Sequence, residues 1–435
     1  MKIAYVYPAF INIGGADKII ISKANYMADR WGYEVFLVTD SQNGLEPFFP
    51  LSDKVHLTDL GINFFQQYQY GPLKRLMVYL KLMRKYKKAL AKTLAEIRPD
   101  VVVSTFSRDA KFVRLYKKFA KAAIAEVHTT KKNIRALPNL RLQGGVYKIL
   151  AAYIEHQLDT SAKRFDEVVV LNHLEEKLWR PVRRVRVINN AVQYYPEEEN
   201  KLQAKSVIYV GRAEYEKAPD RLIEVWRRVA RRHPDWTLRM FCTGAMLDEL
   251  KSRVRQYGLE QQVRFMPATK DMEHEYMSSS LCVLTSRFEG FPVVLQEAMG
   301  CGVPCVSFNC PSGPRYIIAD QEDGFLVEDG NIEAFADKVC LLMEDETLRR
   351  QMGRKAKEHM ARYAKETIMG QWKDLFERLI QQAEKQNSTD FFGNVEEKSY
   401  ICRKISDYGR LQAHTLRHFQ LQAVEEGEPL LRRQE

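Results

Sequence analysis

Residues 286–299 read Ser286-Arg287-Phe288-Glu289-Gly290-Phe291-Pro292-Val293-Val294-Leu295-Gln296-Glu297-Ala298-Met299. Just before them, Leu281–Thr285 is a short apolar run with the make-up of a buried strand. From Pro292 the spacing turns helical, and a proline near the first helical position loses nothing by lacking an N–H. A strand that turns through a glycine loop into a helix is the building unit of a doubly wound α/β sheet. The helix start points free N–H groups at the carboxyl end of that sheet, a place suited to an anion such as a diphosphate. Glu289 on the loop and Glu297 in the second turn can reach one ligand from different heights. Carboxylates repel a diphosphate, so their natural partners are hydroxyls, because one carboxylate accepts two hydrogen bonds from a vicinal diol.

The same alternation extends both ways. Downstream of the polar stretch Pro196-Glu197-Glu198-Glu199-Asn200, strands are expected at Ser206–Val210, Thr237–Cys242, Val263–Met266, Leu281–Thr285, Pro304–Ser307 and Phe325–Val327. Helices Pro219–Arg232, Leu247–Tyr257, Pro292–Met299, Ile332–Met343 and Thr347–Arg362 fall among them. Upstream, strands Lys2–Tyr7, Glu34–Thr39, Val55–Leu60, Val101–Ser104, Ala122–Val127, Glu167–Leu171 and Val185–Ile188 alternate with helices such as Asp17–Trp31, Pro72–Ile97 and Val146–Ala162. Val- and Ile-rich strands separated by helices imply parallel sheets covered on both faces. The expectation is an α/β chain of two Rossmann-like domains facing across a cleft, residues 1–195 and 196–385, with a polar tail over 386–435 to which no role is assigned.

At 435 residues the chain is too long for one ordinary core, and 45% hydrophobic and 28% charged residues are ordinary for a globular protein. No run of 18 apolar residues could form a membrane span. The start, Met1 to Tyr7, runs straight into a strand and is read as leaving no room for a signal peptide. Seven cysteines without a CxxC read as buried, reduced thiols in a cytoplasmic protein, and Cys301, Cys305 and Cys310 lack the spacing of a zinc site. The net charge of +11 is unevenly spread: residues 1–200 hold 32 Lys and Arg against 20 Asp and Glu, and residues 74–148 hold 20 against 4. Such a patch attracts phosphate, on a membrane surface or a nucleic acid.

Three other strand ends carry candidate residues. Val210-Gly211-Arg212-Ala213-Glu214-Tyr215-Glu216-Lys217 places two cations on a loop where Arg212 and Lys217 could neutralise a departing diphosphate. No Asp-x-Asp occurs in the sequence, which fits cationic side chains in place of a metal ion; no metal is expected. Gly14-Gly15 follows the first strand, where glycine lets backbone approach a ligand closely. Neither GxGxxG nor GxxxxGK[ST] is present. His128 ends the strand Ala122–Val127.

Together and in this order, these segments resemble the retaining GT-B glycosyltransferases of family 4, the glycosyl transferases group 1, over residues 1–385. Glu289 to Glu297, enclosing Gly290-Phe291-Pro292, is similar to the family's Glu-x7-Glu element; Gly211-Arg212 with Lys217 and Gly14-Gly15 match its other motifs. Thr243-Gly244-Ala245 departs from the family's usual Gly-x-Gly, and Tyr316 stands where many relatives have Glu. The resemblance implies that Arg212 and Lys217 bind the diphosphate, Glu289 holds donor-sugar hydroxyls and Glu297 the ribose diol. It further implies that N–H groups over Phe291, Pro292, Val293 and Val294 meet a phosphate, with Gly290 in the same loop, that Gly15 and Gly14 pack at the donor, and that His128 stands near the transferred sugar. Glu289, His128, Lys217 and Arg212 are the residues expected to serve the chemistry. Transfer would retain configuration, with no protein nucleophile and no cofactor beyond the nucleotide-sugar donor.

The implied donor is a UDP-hexose or UDP-N-acetylhexosamine, then GDP-mannose, and the acceptor a glycan or lipid-linked saccharide. The stretch Ser307–Arg315 looks like members that build capsule, lipopolysaccharide or exopolysaccharide. Helix Leu73–Leu94 carries Leu73, Leu76, Met77, Leu80, Met83, Leu90 and Leu94 at helical spacing with Lys and Arg elsewhere, which suits an anionic membrane surface at the cytoplasmic face. A sugar-nucleotide epimerase of the same fold is the alternative. A glycosidase pair would have no use for Arg212 or Lys217. No nucleic-acid motif accompanies the basic charge, so no nucleic-acid partner is expected.

Overall fold

The computed structural model describes residues 1–137, 144–180 and 182–386. Beyond Lys385 and Gln386 the tail lies outside the described residues. Within them, β1 (Lys2–Tyr7), β2 (Glu34–Thr39), β3 (Val55–Asp59), β4 (Val101–Ser104), β5 (Ala122–Glu126), β6 (Glu167–Val170) and β7 (Val185–Val187) form one sheet in the order β3-β2-β1-β4-β5-β6-β7. A second sheet holds β8 (Ser206–Val210), β9 (Thr237–Phe241), β10 (Val263–Met266), β11 (Leu281–Leu284), β12 (Cys305–Phe308) and β13 (Gly324–Val327) in the order β10-β9-β8-β11-β12-β13. All pairings are parallel. Each strand expected from the sequence is present, its ends displaced by a residue at most.

Why these segments pair in parallel is visible in their burial. β4, β5 and β11 are buried along their whole length, as strands covered on both faces must be. Helix Pro219–Arg232 presses Leu222, Ile223, Trp226 and Val229 into the second core beside Tyr209 and Leu238. Helix Gly15–Trp31 stops where Gly32 takes φ 65°, a left-handed cap that costs glycine little. The order of strands reverses at β1/β4 in the first sheet and at β8/β11 in the second, and each reversal opens a crevice at the carboxyl ends. Met1–Glu377 cluster as one compact unit that contains both sheets.

Helix Pro72–Ile97 corrects one expectation. Leu82, Met83, Tyr86, Leu90 and Leu94 lie in the core against Val6, Val102 and Ala123. Leu73, Leu76, Met77 and Leu80 are 82%, 56%, 65% and 49% exposed, so the stripe expected to face a membrane is split, its second half, Met83, Leu90 and Leu94, being core. The cause is length: 26 residues make a helix of about 39 Å, whereas a six-residue strand spans about 20 Å, so the first turns overhang the sheet. The six described cysteines are buried and free, and none of the described helices is long and apolar enough to cross a membrane.

Candidate active site

The loops leaving β8 and β11, the two strands at the reversal, are fastened to each other. Arg287 forks onto Asp220 at 3.1 and 2.7 Å and also donates to the Tyr215 carbonyl at 2.7 Å. Its own N–H reaches the Glu216 carbonyl at 2.8 Å, and Thr285 Oγ1 donates to the Ala218 carbonyl at 3.0 Å. Burial raises the Asp220 carboxyl, but the Arg287 fork outweighs it and holds it below its ordinary range.

This clamp brings Lys217 Nζ to 2.7 and 2.9 Å from the two oxygens of Glu289, with Ser286 Oγ donating to Oε1 at 2.6 Å. Glu289 is 7% exposed. From beneath, Gly313 supports the loop: a Cβ there would come within 2.7 Å of Glu289 Cβ and 2.6 Å of Pro292 Cδ. Helix Val293–Gly300 then begins, with Pro292 as its extended N-cap rather than its first residue. Its leading N–H groups have no acceptor within the helix.

A cavity of about 820 Å³ lies between the carboxyl ends of the two sheets. Its lining brings together Gly14, Gly15 and His128 from the first half with Arg212, Lys217, Glu289, Gly290, Phe291, Pro292, Val293 and Val294 from the second. Arg212 is largely exposed and pairs with Glu216 on its own loop. Glu297 does not line the cavity. Its Oε1 is paired with Lys18 of helix Gly15–Trp31, and its Oε2 accepts from the Tyr276 hydroxyl at 3.0 Å. Burial lowers Lys18, but Glu297 and Tyr194 outweigh it and raise the ammonium above its ordinary value.

Asp17 of the cavity lining and several residues around it escaped the sequence reading. Asp17 accepts from the Tyr7 hydroxyl at 2.7 Å, and burial pushes its carboxyl up to about 6 against the hydrogen bonds from Tyr7 and Asn12. Glu126 stands 3.2 Å from His128 Nε2. Asn172 crosses the cleft, donating to the Gly290 carbonyl at 2.9 Å and to Ser312 Oγ at 3.1 Å. Glu126 had a signal, since strand alternation puts residues two apart on one face. Lys18 and Asn172 meet partners more than a hundred positions away, which no local pattern encodes.

The sequence profile of the glycosyl transferases group 1 matches residues 194–359, the segment holding Arg212, Lys217, Glu289 and Glu297. An uncharacterized glycosyltransferase of Haemophilus influenzae is 28% identical, with 86% of this chain and 99% of the relative aligned. The amylovoran biosynthesis glycosyltransferase AmsD of Erwinia amylovora is 25% identical over 86% of this chain and 99% of its own length. Among solved structures, a variant of S. aureus TarM in complex with UDP superposes with TM-score 0.68 at 17% identity, covering 86% of this chain and 99% of that one. Residues 194–359 thus match the glycosyl transferases group 1, and the chain has the GT-B fold and resembles glycosyltransferases that act in bacterial polysaccharide synthesis.

Proposed function

We propose that the chain transfers a hexose or N-acetylhexosamine from a nucleotide sugar, a UDP-sugar ahead of GDP-mannose, to a glycan or lipid-linked saccharide. Transfer retains the anomeric configuration, needs no metal, and serves capsule, lipopolysaccharide or exopolysaccharide assembly. The observation that carries this is Lys217 bound to both oxygens of Glu289 beside the start of helix Val293–Gly300. A cation, hydroxyl-binding carboxylate and free N–H groups at one place fit a sugar diphosphate and little else.

In this reading residues 196–385 take the donor and residues 1–195 the acceptor. The diphosphate lies over the N–H groups of Val293 and Val294, flanked by Arg212 and Lys217. A carboxylate offers about four acceptor positions, and Lys217 and Ser286 fill three on Glu289, which leaves one for a sugar hydroxyl. As the bond from anomeric carbon to phosphate oxygen breaks, the acceptor oxygen bonds to the same face. Its proton passes to the leaving phosphate, whose charge the two cations stabilise. The UDP held by TarM and the polysaccharide role of AmsD support the choice of donor and product class.

The overhanging turns with Leu73, Leu76, Met77 and Leu80, beside Lys74, Arg75, Lys81, Arg84 and Lys85, support docking on an anionic membrane at the cytoplasmic face. Each cation near such a surface contributes about 1 kcal/mol. The test of the whole reading is a screen of UDP-, GDP-, ADP- and CMP-sugars for binding and slow hydrolysis, with Lys217→Ala and Glu289→Ala alongside. One nucleotide should bind, and both variants should lose turnover by about a hundredfold or more. No binding by any of the four, or unimpaired variants, overturns it.

A further inference from the structure

A second hollow, of about 490 Å³, shares no lining residue with the cavity between the sheets. Arg114, Lys117, Lys163, Arg164, Arg183 and Arg184 line it, together with Phe165 and Val182, both buried. The cations come from helix Val113–Phe119, from the end of helix Gly145–Ala162 and from the approach to β7. These connections lead into the amino ends of β5, β6 and β7. The cavity with His128 lies at the carboxyl ends, so the five residues of β5, about 17 Å of strand, stand between the two.

The acid in this lining is already engaged. Asp166 Oδ1 accepts from Lys117 at 2.7 Å, and Oδ2 accepts from the Ala123 N–H at 2.9 Å. Arg114, Lys163, Arg164, Arg183 and Arg184 are exposed, and among the described residues none has an ion-pair partner. Arg232 and Arg253, by contrast, meet Asp337 and Glu249 at 2.8 and 2.6 Å. Cations at a helix end offset its dipole, which accounts for Lys117 and Lys163 but not for Arg114 in a first turn, nor for Arg183 and Arg184.

Six cations and one acid leave five positive charges in excess around one concavity. Like charges gathered in this way repel, and an anion of matching charge relieves the repulsion. A phosphate carries about 1.5 to 2 negative charges at neutral pH, so one is too few and about three match. Four of the six cations are arginines, whose planar forks grip phosphate oxygens in pairs. A membrane surface fits poorly, because none of the described exposed large apolar residues lines the hollow. The exposed turns with Leu73 and Leu76 lie at the other end of the sheet, since helix Pro72–Ile97 ends just before the amino end of β4. Single-stranded nucleic acid fits no better: Phe165, the aromatic residue of the lining, is buried and offers no stacking face. We propose that this hollow is a second anion site, which takes a soluble ligand with about three clustered phosphate groups, apart from the sugar-nucleotide cavity.

The test titrates the full chain with inorganic tripolyphosphate by calorimetry, with and without saturating UDP, so that binding in the cavity between the sheets is read separately. Tripolyphosphate should bind in both conditions, and inorganic phosphate about tenfold more weakly or worse. Arg164→Gln, Arg183→Gln and Arg184→Gln together should weaken tripolyphosphate under UDP about tenfold or more and leave UDP affinity unchanged. Arg114→Gln with Lys163→Gln should act in the same direction, and thermal melts of both variants should match wild type because the side chains are exposed. No tripolyphosphate binding under saturating UDP, or binding that neither variant weakens, overturns the proposal. So does a triple variant that keeps tripolyphosphate but no longer co-sediments with anionic vesicles, which would make the hollow part of a membrane surface. A chain that ignores UDP yet loses tripolyphosphate with the arginines would instead sink the transfer reading and leave this site standing.

Discussion

Alanine in place of Lys217 strands a carboxylate. Glu289 is 7% exposed and takes two of its three hydrogen bonds from that ammonium, at 2.7 and 2.9 Å. Removing one member of a fully buried pair costs about 3–5 kcal/mol. Here the lysine side chain keeps 24% exposure and Ser286 still donates at 2.6 Å, so the expected loss of stability is nearer 2 kcal/mol, about thirtyfold in the folding equilibrium. UDP affinity suffers separately. The wild-type loop offers the diphosphate a neutral pair plus Arg212, whereas the variant offers it an unpaired carboxylate. Loss of a charge-assisted hydrogen bond, about 1.5–3 kcal/mol, weakens binding roughly 10- to 100-fold. Adding Glu289→Gln removes the stranded charge, so the double variant should regain most of the stability but not the affinity. Urea unfolding followed by tryptophan fluorescence and UDP titration by calorimetry measure both quantities in a double-mutant cycle. A Lys217→Ala chain within about 0.5 kcal/mol of wild type, or one that binds UDP as well, refutes the reasoning.

Three further outcomes follow from the same geometry. Asp17 has its carboxyl raised to about 6, so the folded chain binds its proton more tightly than the unfolded chain and loses stability as pH rises from about 4 through 6. Asp17→Asn should therefore be more stable than wild type at pH 8 by about 1–3 kcal/mol, and denaturation midpoints should converge at pH 4; equal midpoints at pH 8 would count against a strained carboxylate. Lys18 occupies Glu297 where the ribose diol is proposed to sit, so Lys18→Met should tighten UDP binding about fivefold by calorimetry. Unchanged affinity would detach Glu297 from the ribose. Serine at Leu73, Leu76, Met77 and Leu80 together should leave thermal stability unaltered and abolish co-sedimentation with anionic vesicles, while persistent co-sedimentation would remove these turns from the docking surface.

The sheets were legible because their central strands, β4, β5 and β6 above all, are short runs dominated by Val, Ile and Ala, as strands buried on both faces are. The Lys217–Glu289 half of the candidate site was legible for a related reason: both loops directly follow strands that flank a reversal, where β8 and β11 become neighbours although β9 and β10 lie between them in the chain. The wall opposite was not. Asp17 entered only as the first residue of a helix, and only the fold shows Tyr7 and Asn12 closing on it. Glu297 sits in the expected helix turn, but its partners Lys18 and Tyr276 come from a different sheet's helix and from the segment before β11, and they turn the carboxylate away from the cavity. Periodicity likewise gave the long helix one stripe, because a pattern along a helix carries no information on where the sheet beneath it ends.

At the cavity the halves face each other across two residues without side chains. A methyl group on Gly290 would sit 3.1 Å from the His128 carbonyl oxygen, and one on Gly15 would sit 3.4 Å from Val293 Cγ2. The first would act as a wedge against backbone, at a site where a misplacement of about 1 Å can cost a hundredfold in rate, while the second would make only ordinary contact. The gap between the jaws is thus gauged at Gly290 by an atom that is missing, beside Glu289. Loops elsewhere on the first half are free to lengthen and to change acceptor, provided that Gly290 acquires no side chain to hold the jaws apart.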